Sequence, residues 1–191
     1  TPVPADEADV LVIGGGPVGI RLGQLLAQNG KSVTLLSEEN HEPYNRVRLT
    51  PLLGGDVQFG DIMLPAPAQE QEAFNIHLGQ RAIRVDRDRR SVETADGTIW
   101  PFEKLVFATG SRAFIPNIPG TNIPGVYAFR TADDASALLA RTFSARKVTI
   151  LGGGLLGLEA ARGLSRWNCE VKVVEHENRL MPRQLDETAA E

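Results

Sequence analysis

Apolar residues run along this chain in two alternating rhythms. Val10-Leu11-Val12-Ile13 is a short unbroken apolar run, the pattern of a strand buried on both faces. Val18, Ile20, Leu22, Leu25 and Leu26 then recur at helical spacing up to a stop at Asn29-Gly30, and a second run, Val33-Thr34-Leu35-Leu36, follows. The same succession returns later: Val148-Thr149-Ile150-Leu151 predicts a buried strand, Leu155 to Trp167 a helix, and Val171-Lys172-Val173-Val174 a strand. Between these blocks the pattern changes. Residues 37 to 75 are a long connection rich in Pro, Gly and Gln that predicts short helical pieces at most. A connection of that length over a sheet edge tends to cover a site. From Ile76 to Trp100, short alternating stretches broken at Asp86-Arg87-Asp88 and Asp96-Gly97 predict a β-meander. Leu105-Val106-Phe107 reads as a further buried strand, ending in the small-residue turn Ala108-Thr109-Gly110-Ser111-Arg112. Ile115 to Gly125 carries three prolines and two glycines, the composition of an interdomain linker. A helix from Ala132 to Arg141, capped by Thr131, leads into the second block.

At both strand-to-helix junctions the connecting residues are glycines: Gly14-Gly15-Gly16-Pro17-Val18-Gly19 and Gly152-Gly153-Gly154-Leu155-Leu156-Gly157. The first glycine of each permits a tight turn, the second lets the backbone approach a pyrophosphate, and the third lets the new helix pack on the strand. A helix N-terminus then faces the phosphates, where unpaired N–H groups and the positive dipole end favour an anion. A glycine turn alone also serves plain chain reversal. Here each turn is followed by a second strand and an acid: Glu38 stands 24 residues after Gly14, and Glu175 stands 23 after Gly152. A carboxylate at that strand tip suits ribose hydroxyls, so two β-α-β units imply two dinucleotides.

Composition narrows the rest. With 42% hydrophobic and 23% charged residues in 191, the chain is ordinary for a globular protein of one large or two small domains. A net charge of −4 and a pI near 5.5 offer no basic face to nucleic acid or anionic lipid. The basic stretch Arg81 to Arg90 is interrupted by Asp86 and Asp88 and reads as a solvated hairpin. No apolar run approaches a membrane span, and the opening Thr1 to Asp9 is polar and acidic, so the cytoplasm is the default expectation. With one cysteine, Cys169, the chain cannot form an internal disulfide, a redox cysteine pair or a thiolate-held iron–sulfur cluster. Cys169 is expected to pack as a small hydrophobe. His41, His77 and His176 lack ligand spacing and are expected as surface or loop residues, with no metal site.

The order of the first glycine bend, Glu38, Pro43-Tyr44-Asn45-Arg46-Val47-Arg48-Leu49-Thr50, Ala108 to Arg112, Pro116 to Gly120, Phe129-Arg130-Thr131 and Gly152 to Ala161 resembles the FAD-dependent pyridine nucleotide-disulphide oxidoreductase superfamily. Within it the chain looks most like the amino-terminal flavoprotein part of the assimilatory NAD(P)H-nitrite reductase large subunit. Tyr44 to Thr50 carries that likeness, since sister ferredoxin and rubredoxin reductases usually have a double proline before the leucine and a lysine where Pro51 stands. So does Gly154 to Ala161 followed by Arg179-Leu180-Met181-Pro182-Arg183-Gln184-Leu185-Asp186.

The resemblance implies an α/β fold: a Rossmann-like FAD-binding domain with a β-meander insertion in three ββα layers, then part of a second, Rossmann-like NAD-binding domain. The implied boundaries are 1–116 for the first half of the FAD domain, 117–124 for the linker and 125–191 for the incomplete NAD domain. It assigns Gly14, Gly16, Pro17 and Gly19 to the FAD pyrophosphate, Glu38 and Glu39 to the adenosine end, Arg46 to the pyrophosphate or adenine, and Ala108, Thr109 and Gly110 to a close pass of the flavin cofactor. Gly152, Gly154, Leu155 and Gly157 would hold the nicotinamide nucleotide, and Glu175, repelling a 2′-phosphate, argues for NADH over NADPH. Glu159 would stand near the nicotinamide as the catalytic candidate. Plainer readings remain open for three of these: a surface arginine for Arg46, a strand end for Ala108 to Gly110, and a favourable charge in the first helical turn for Glu159.

Hydride would pass from nicotinamide to flavin, with the protein aligning the rings. Iron–sulfur and sirohaem centres belong to later domains of the resembling enzymes, which require cysteines this chain lacks. The family's FAD domain is also discontinuous, its second half returning after the NAD domain, so the chain is expected to be part of a longer polypeptide and to be inactive by itself if so. The implied partners are a nicotinamide dinucleotide and downstream redox domains or a small electron-acceptor protein, with no nucleic acid or membrane and a homodimer among the open options. A ferredoxin or rubredoxin reductase, an NADH oxidase, and a nucleotide-binding regulator without turnover are the competing readings.

Overall fold

The structure, a computed structural model, describes residues 8–65 and 73–190. The chain divides into two compact units, the first comprising Thr1–Asn45 and Met63–Ser111 and the second Arg46–Ile62 and Arg112–Glu191. Residues 66–72 of the long connection and 1–7 of the polar opening lie outside the described residues.

The first unit is built on one six-stranded sheet. Strand β1 (Ala8–Ile13) is followed by helix α1 (Pro17–Gln28) and strand β2 (Val33–Leu36), then β3 (Phe74–His77), β4 (Ala82–Asp86), β5 (Ser91–Thr94) and β6 (Ile99–Phe107). Their order across the sheet is β3-β2-β1-β6-β5-β4. β1 pairs in parallel with β2, Val10 opposite Val33, and with β6, Leu11 opposite Leu105. Because side chains alternate across a strand, β1 splits its apolar run between two cores. Val10 and Val12 pack with Ile20 of α1, Val33, Leu35 and Phe74, while Leu11 and Ile13 pack with Leu36, Val92, Trp100 and Phe102 of the meander side. Helix, parallel sheet and meander thus form three layers, and an unbroken apolar strand is what a middle layer needs.

Two predicted elements are redrawn here. Phe74–His77 lies in the parallel sheet beside β2 rather than in the meander, with Val33 opposite Phe74. The last meander strand and the strand at Leu105 are one element, β6. Its start pairs antiparallel with β5, Val92 opposite Trp100, and its end pairs parallel with β1. The exposed Glu103 and Lys104 in its middle interrupt the apolar pattern without interrupting the strand.

The second unit contains α2 (Leu49–Leu53), α3 (Ala132–Thr142), β7 (Lys147–Leu151), α4 (Leu155–Ser165) and β8 (Glu170–Val174). β7 and β8 pair in parallel, Ile150 opposite Val173. Their inward side chains Val148, Ile150 and Val171 pack with Ala160 and Leu164 of α4, Leu138 and Leu139 of α3, and Leu53 of α2. The alternate residues Lys147, Thr149 and Leu151 are exposed, and no described element covers that face. The two glycine-linked strands therefore differ: β1 is buried on both sides and β7 on one, although their sequences read alike. α3 begins at the predicted cap, where Thr131 Oγ1 accepts from the Asp134 N–H at 3.2 Å and the Asp134 carboxylate accepts from the Thr131 N–H at 2.8 Å. This capping box satisfies two of the helix's unpaired donors. Trp167 donates its indole N–H to the Leu53 carbonyl at 2.6 Å, tying the end of α4 to α2.

Candidate nucleotide-binding bends

Each bend forms where a parallel strand ends and a helix begins, and the two share their backbone geometry closely. Gly14 and Gly152 both lie at positive φ, 124° and 109°. Side chains rarely adopt that conformation. The Gly14 N–H donates to Leu36 O at 2.8 Å, and the Gly152 N–H to Val174 O at 2.8 Å, so each bend is tied to the end of the neighbouring strand. A Cβ on Gly19 would lie 2.0 Å from the Gly14 carbonyl oxygen, and one on Gly157 would lie 2.0 Å from that of Gly152. Helix and bend are thus in direct contact, which requires the third glycine. Gly16 and Gly154 face open space, with nothing within 4 Å of a Cβ built on either.

Neither helix is capped by a side chain at its N-terminus, where Gly16 and Gly154 are the caps and Pro17 and Leu155 the first helical residues. The first-turn N–H groups are therefore left for an external acceptor. A glycine with space before it beside uncapped N–H donors fits the pyrophosphate of a dinucleotide, and both bends meet that requirement.

In the first unit, Ala108 to Gly110 stand beside the bend. The Ala108 N–H donates to Ile13 O at 2.8 Å, and a Cβ on Gly14 would lie 2.2 Å from the Ala108 carbonyl oxygen. Thr109 and Gly110 are exposed. Glu38 is exposed, with an oxygen 4.0 Å from Arg81 Nε, and Glu39 accepts from the Tyr44 hydroxyl at 2.7 Å. The loop carrying both acids is braced by Gly79 N–H to Glu39 O at 3.1 Å and Gln80 N–H to Ser37 O at 2.7 Å. Arg46 belongs to the second unit, where its Nη1 donates to the Arg130 carbonyl at 3.2 Å.

In the second unit Glu175 sits against its bend. Its Oε2 accepts from the Gly153 N–H at 2.5 Å, and Oε1 accepts from the N–H groups of His176 at 2.7 Å and Glu177 at 3.1 Å. The donors of Glu177 and Gly153, in that order of weight, hold the carboxyl below the usual carboxylate range. Beside it lies a pocket of 470 Å³ whose lining includes Glu175, Asn178, Arg179 and Leu180. Glu159 is the fifth residue of α4 rather than a first-turn residue, so the helix-end reading of its charge does not hold. Its carboxylate takes a long contact of 3.4 Å from the Thr50 hydroxyl.

The two acids are not equivalent, although their distances from the first glycine differ by one. Because Gly14 bonds Leu36 and Gly152 bonds Val174, Ser37 matches Glu175, and Glu38 stands one residue further along. Ser37 is the side chain facing Gly15, where a Cβ would lie 2.7 Å from its Oγ. Counting from the last strand residue, rather than for an acid alone, would have found Ser37. Leu180, whose side chain covers Gly153, left no such signal. Elsewhere, His77 is neither a surface nor a loop residue: it lies on β3 with its ring 4.6 Å from that of Trp100. Cys169 is buried, as expected of a packing thiol, with Sγ 3.3 Å from the Ala145 carbonyl oxygen.

Two glycine bends, each joining a parallel strand to a helix, define an α/β protein of the Rossmann-like class. Residues 8–191 match the family model described as pyridine nucleotide-disulphide oxidoreductase, and the chain belongs to that family. It is 38% identical over 187 residues to a nitrite reductase [NAD(P)H] of Bacillus subtilis, covering 96% of this chain and 23% of that protein. It is 33% identical to rhodocoxin reductase of Rhodococcus erythropolis, covering 92% of this chain and 42% of the relative. Among solved structures, the ferredoxin reductase for the CYP199A2 system of Rhodopseudomonas palustris aligns with a TM-score of 0.83 at 29% identity, over 95% of this chain and 46% of that one. The chain thus spans less than half the length of these relatives. Among the described residues no helix is long and apolar enough to cross a membrane.

Proposed function

We propose that this chain is the FAD- and NADH-binding part of a flavin-dependent oxidoreductase, and that the protein it represents is a nitrite reductase [NAD(P)H] large subunit. The observation that carries the reading is the pair of matched bends, each with its second glycine open to space beside an uncapped helix. A flavin bound at the first bend would accept hydride from a reduced nicotinamide bound at the second.

The chain's own residues bind and orient. Gly14, Gly16, Pro17 and Gly19 shape the bend that takes the FAD pyrophosphate, and Glu38 and Glu39 take the adenosine end, with Arg46 added to the phosphates or adenine. Ala108, Thr109 and Gly110 form a small-residue turn that lets the flavin cofactor pass close to the backbone. Gly152, Gly154, Leu155 and Gly157 play the pyrophosphate part for NADH, and Glu159 would stand near the nicotinamide as the catalytic candidate. Glu175 receives the ribose and, being ionised, disfavours the 2′-phosphate of NADPH. The assignment divides the chain at 1–116, 117–124 and 125–191. With one cysteine the chain holds no pair to receive electrons, so they leave for iron–sulfur and sirohaem domains or a small acceptor protein in the cytoplasm.

The test is anaerobic addition of NADH to the FAD-loaded full-length protein while the oxidised flavin band is followed. Bleaching supports the reading; a bound flavin that stays oxidised, with NADH also bound, leaves only the nucleotide-binding regulator. The likeness to rhodocoxin reductase supports a second reading, a reductase delivering electrons to a separate small protein. The two part on whether nitrite consumes NADH without an added carrier.

A further inference from the structure

We propose that Glu175 is a positioning residue for the second bend: its carboxylate and the backbone at 179–185 fix Gly153 before any nucleotide arrives. Nucleotide choice and bend geometry are then set by one side chain. This deepens the reading of that bend as the NADH site and rests on it. Gly153 is buried and held on three sides. Its N–H donates to Glu175 Oε2 at 2.5 Å, its carbonyl accepts from the Met181 N–H at 3.0 Å, and a Cβ would lie 2.5 Å from Leu180 Cδ2 and 3.1 Å from Glu175 Oε2. Met181 meets Gly153 in a left-handed conformation, φ 48°, unusual for a side chain of its size. Its carbonyl accepts from Gln184 and Leu185, both at 2.9 Å, and Arg179 braces the same turn through the carbonyls of Pro182 and Leu185. The strained residue is thus held by bonds on both sides, as a device that fixes its neighbour requires.

The hydrogen-bond count supports the assignment. An ionised carboxylate offers about four lone-pair directions. Three backbone N–H groups take three of those of Glu175, leaving one, on Oε2, for a ribose hydroxyl. In the first unit the acids are otherwise employed: Glu39 takes the Tyr44 hydroxyl, Glu38 faces Arg81, and among the described residues no side-chain hydrogen bond goes to Gly15. The two bends share a backbone and differ in what holds the middle glycine.

A carboxylate that only repels a 2′-phosphate behaves differently on removal from one that also holds the bend. The first predicts that Glu175→Ala improves NADPH binding. The clamp predicts that both nucleotides bind more weakly and that Gly153 is released. The experiment measures amide exchange at Gly153 by NMR in the nucleotide-free full chain, and NADH and NADPH affinity by titration, for wild type, Glu175→Ala and Glu175→Gln. Losing a hydrogen bond to a charged acceptor should speed Gly153 exchange about tenfold or more in Glu175→Ala, with NADH affinity falling by a similar factor and no gain for NADPH. Glu175→Gln keeps an acceptor oxygen of the same reach and should fall between, which serves if the alanine variant does not fold. Wild-type exchange at Gly153 in a folded variant, or NADPH bound more tightly by Glu175→Ala than by wild type, overturns the proposal. A wild-type chain that binds no NADH instead sinks the nucleotide reading, and the Gly153 exchange rates still decide the clamp.

Discussion

At the scale of single residues, the glycines of the bends separate stability from binding. Gly14 has a positive φ and a neighbouring carbonyl where a side chain would go, so Gly14→Ala should cost about 3 kcal/mol through strain and overpacking. Gly16 is extended, with φ −79° and ψ 177°, and faces space. Gly16→Ala should therefore leave thermal or denaturant stability within about 0.5 kcal/mol of wild type. Its FAD affinity should nonetheless fall by about tenfold or more, because the added methyl group stands where charge-assisted bonds to the pyrophosphate would form. Equal loss of stability in both variants would contradict the geometry. His77 gives a second residue-scale expectation. Burial against Trp100 lowers its pKa from 6.5, so the unfolded chain takes up a proton at a pH where the folded chain does not. Stability should fall as pH drops through 6.5 and stop falling once the folded-state pKa is passed. Above 6.5 the ring is neutral in both states and contributes no slope. Denaturant midpoints across this range should show that slope in wild type, and His77→Phe, which keeps a ring beside Trp100, should remove it.

At the scale of elements, what could be read in the chain depended on how local the determining interaction was. The limits of α3 and its cap were legible because a threonine followed three residues later by an aspartate satisfies helix donors within one turn. Thr131→Ala should accordingly cost about 1 kcal/mol by chemical denaturation, and Asp134→Asn less, since an amide oxygen still accepts. The stop of α1 was equally local, with Asn29 as cap and Gly30 at φ 75°. Strand β6 was misread because its continuity is not local. Glu103 and Lys104 look like a break, yet the same segment is held by β5 at one end and β1 at the other. β3 was assigned to the meander for the same reason: which sheet a four-residue strand joins depends on a partner, β2, far away in sequence.

At the scale of the whole molecule, the proposed function assigns two binding events to different residues. Saturating FAD, at about a hundredfold over its Kd, should stabilise the state that binds it by about 2.7 kcal/mol. Hydrogen exchange should then slow at Gly14–Gly19 with FAD and at Gly152–Gly157 with NADH. Protection of one bend by both nucleotides would remove the division of labour. By itself the sequence determined the two β-α-β units, their glycine bends, the cap of α3 and the family likeness, because each rests on spacing within a few turns of chain and on backbone conformations only glycine adopts. Only the tertiary structure decided that β1 is buried on two faces and β7 on one, that residues 46–62 pack with the second unit, and that Glu175 aligns with Ser37 rather than Glu38. Those outcomes turn on which strands and loops meet across long separations, and a strand's side chains reverse face with every residue, so a shift of one position along the chain redirects an acid completely.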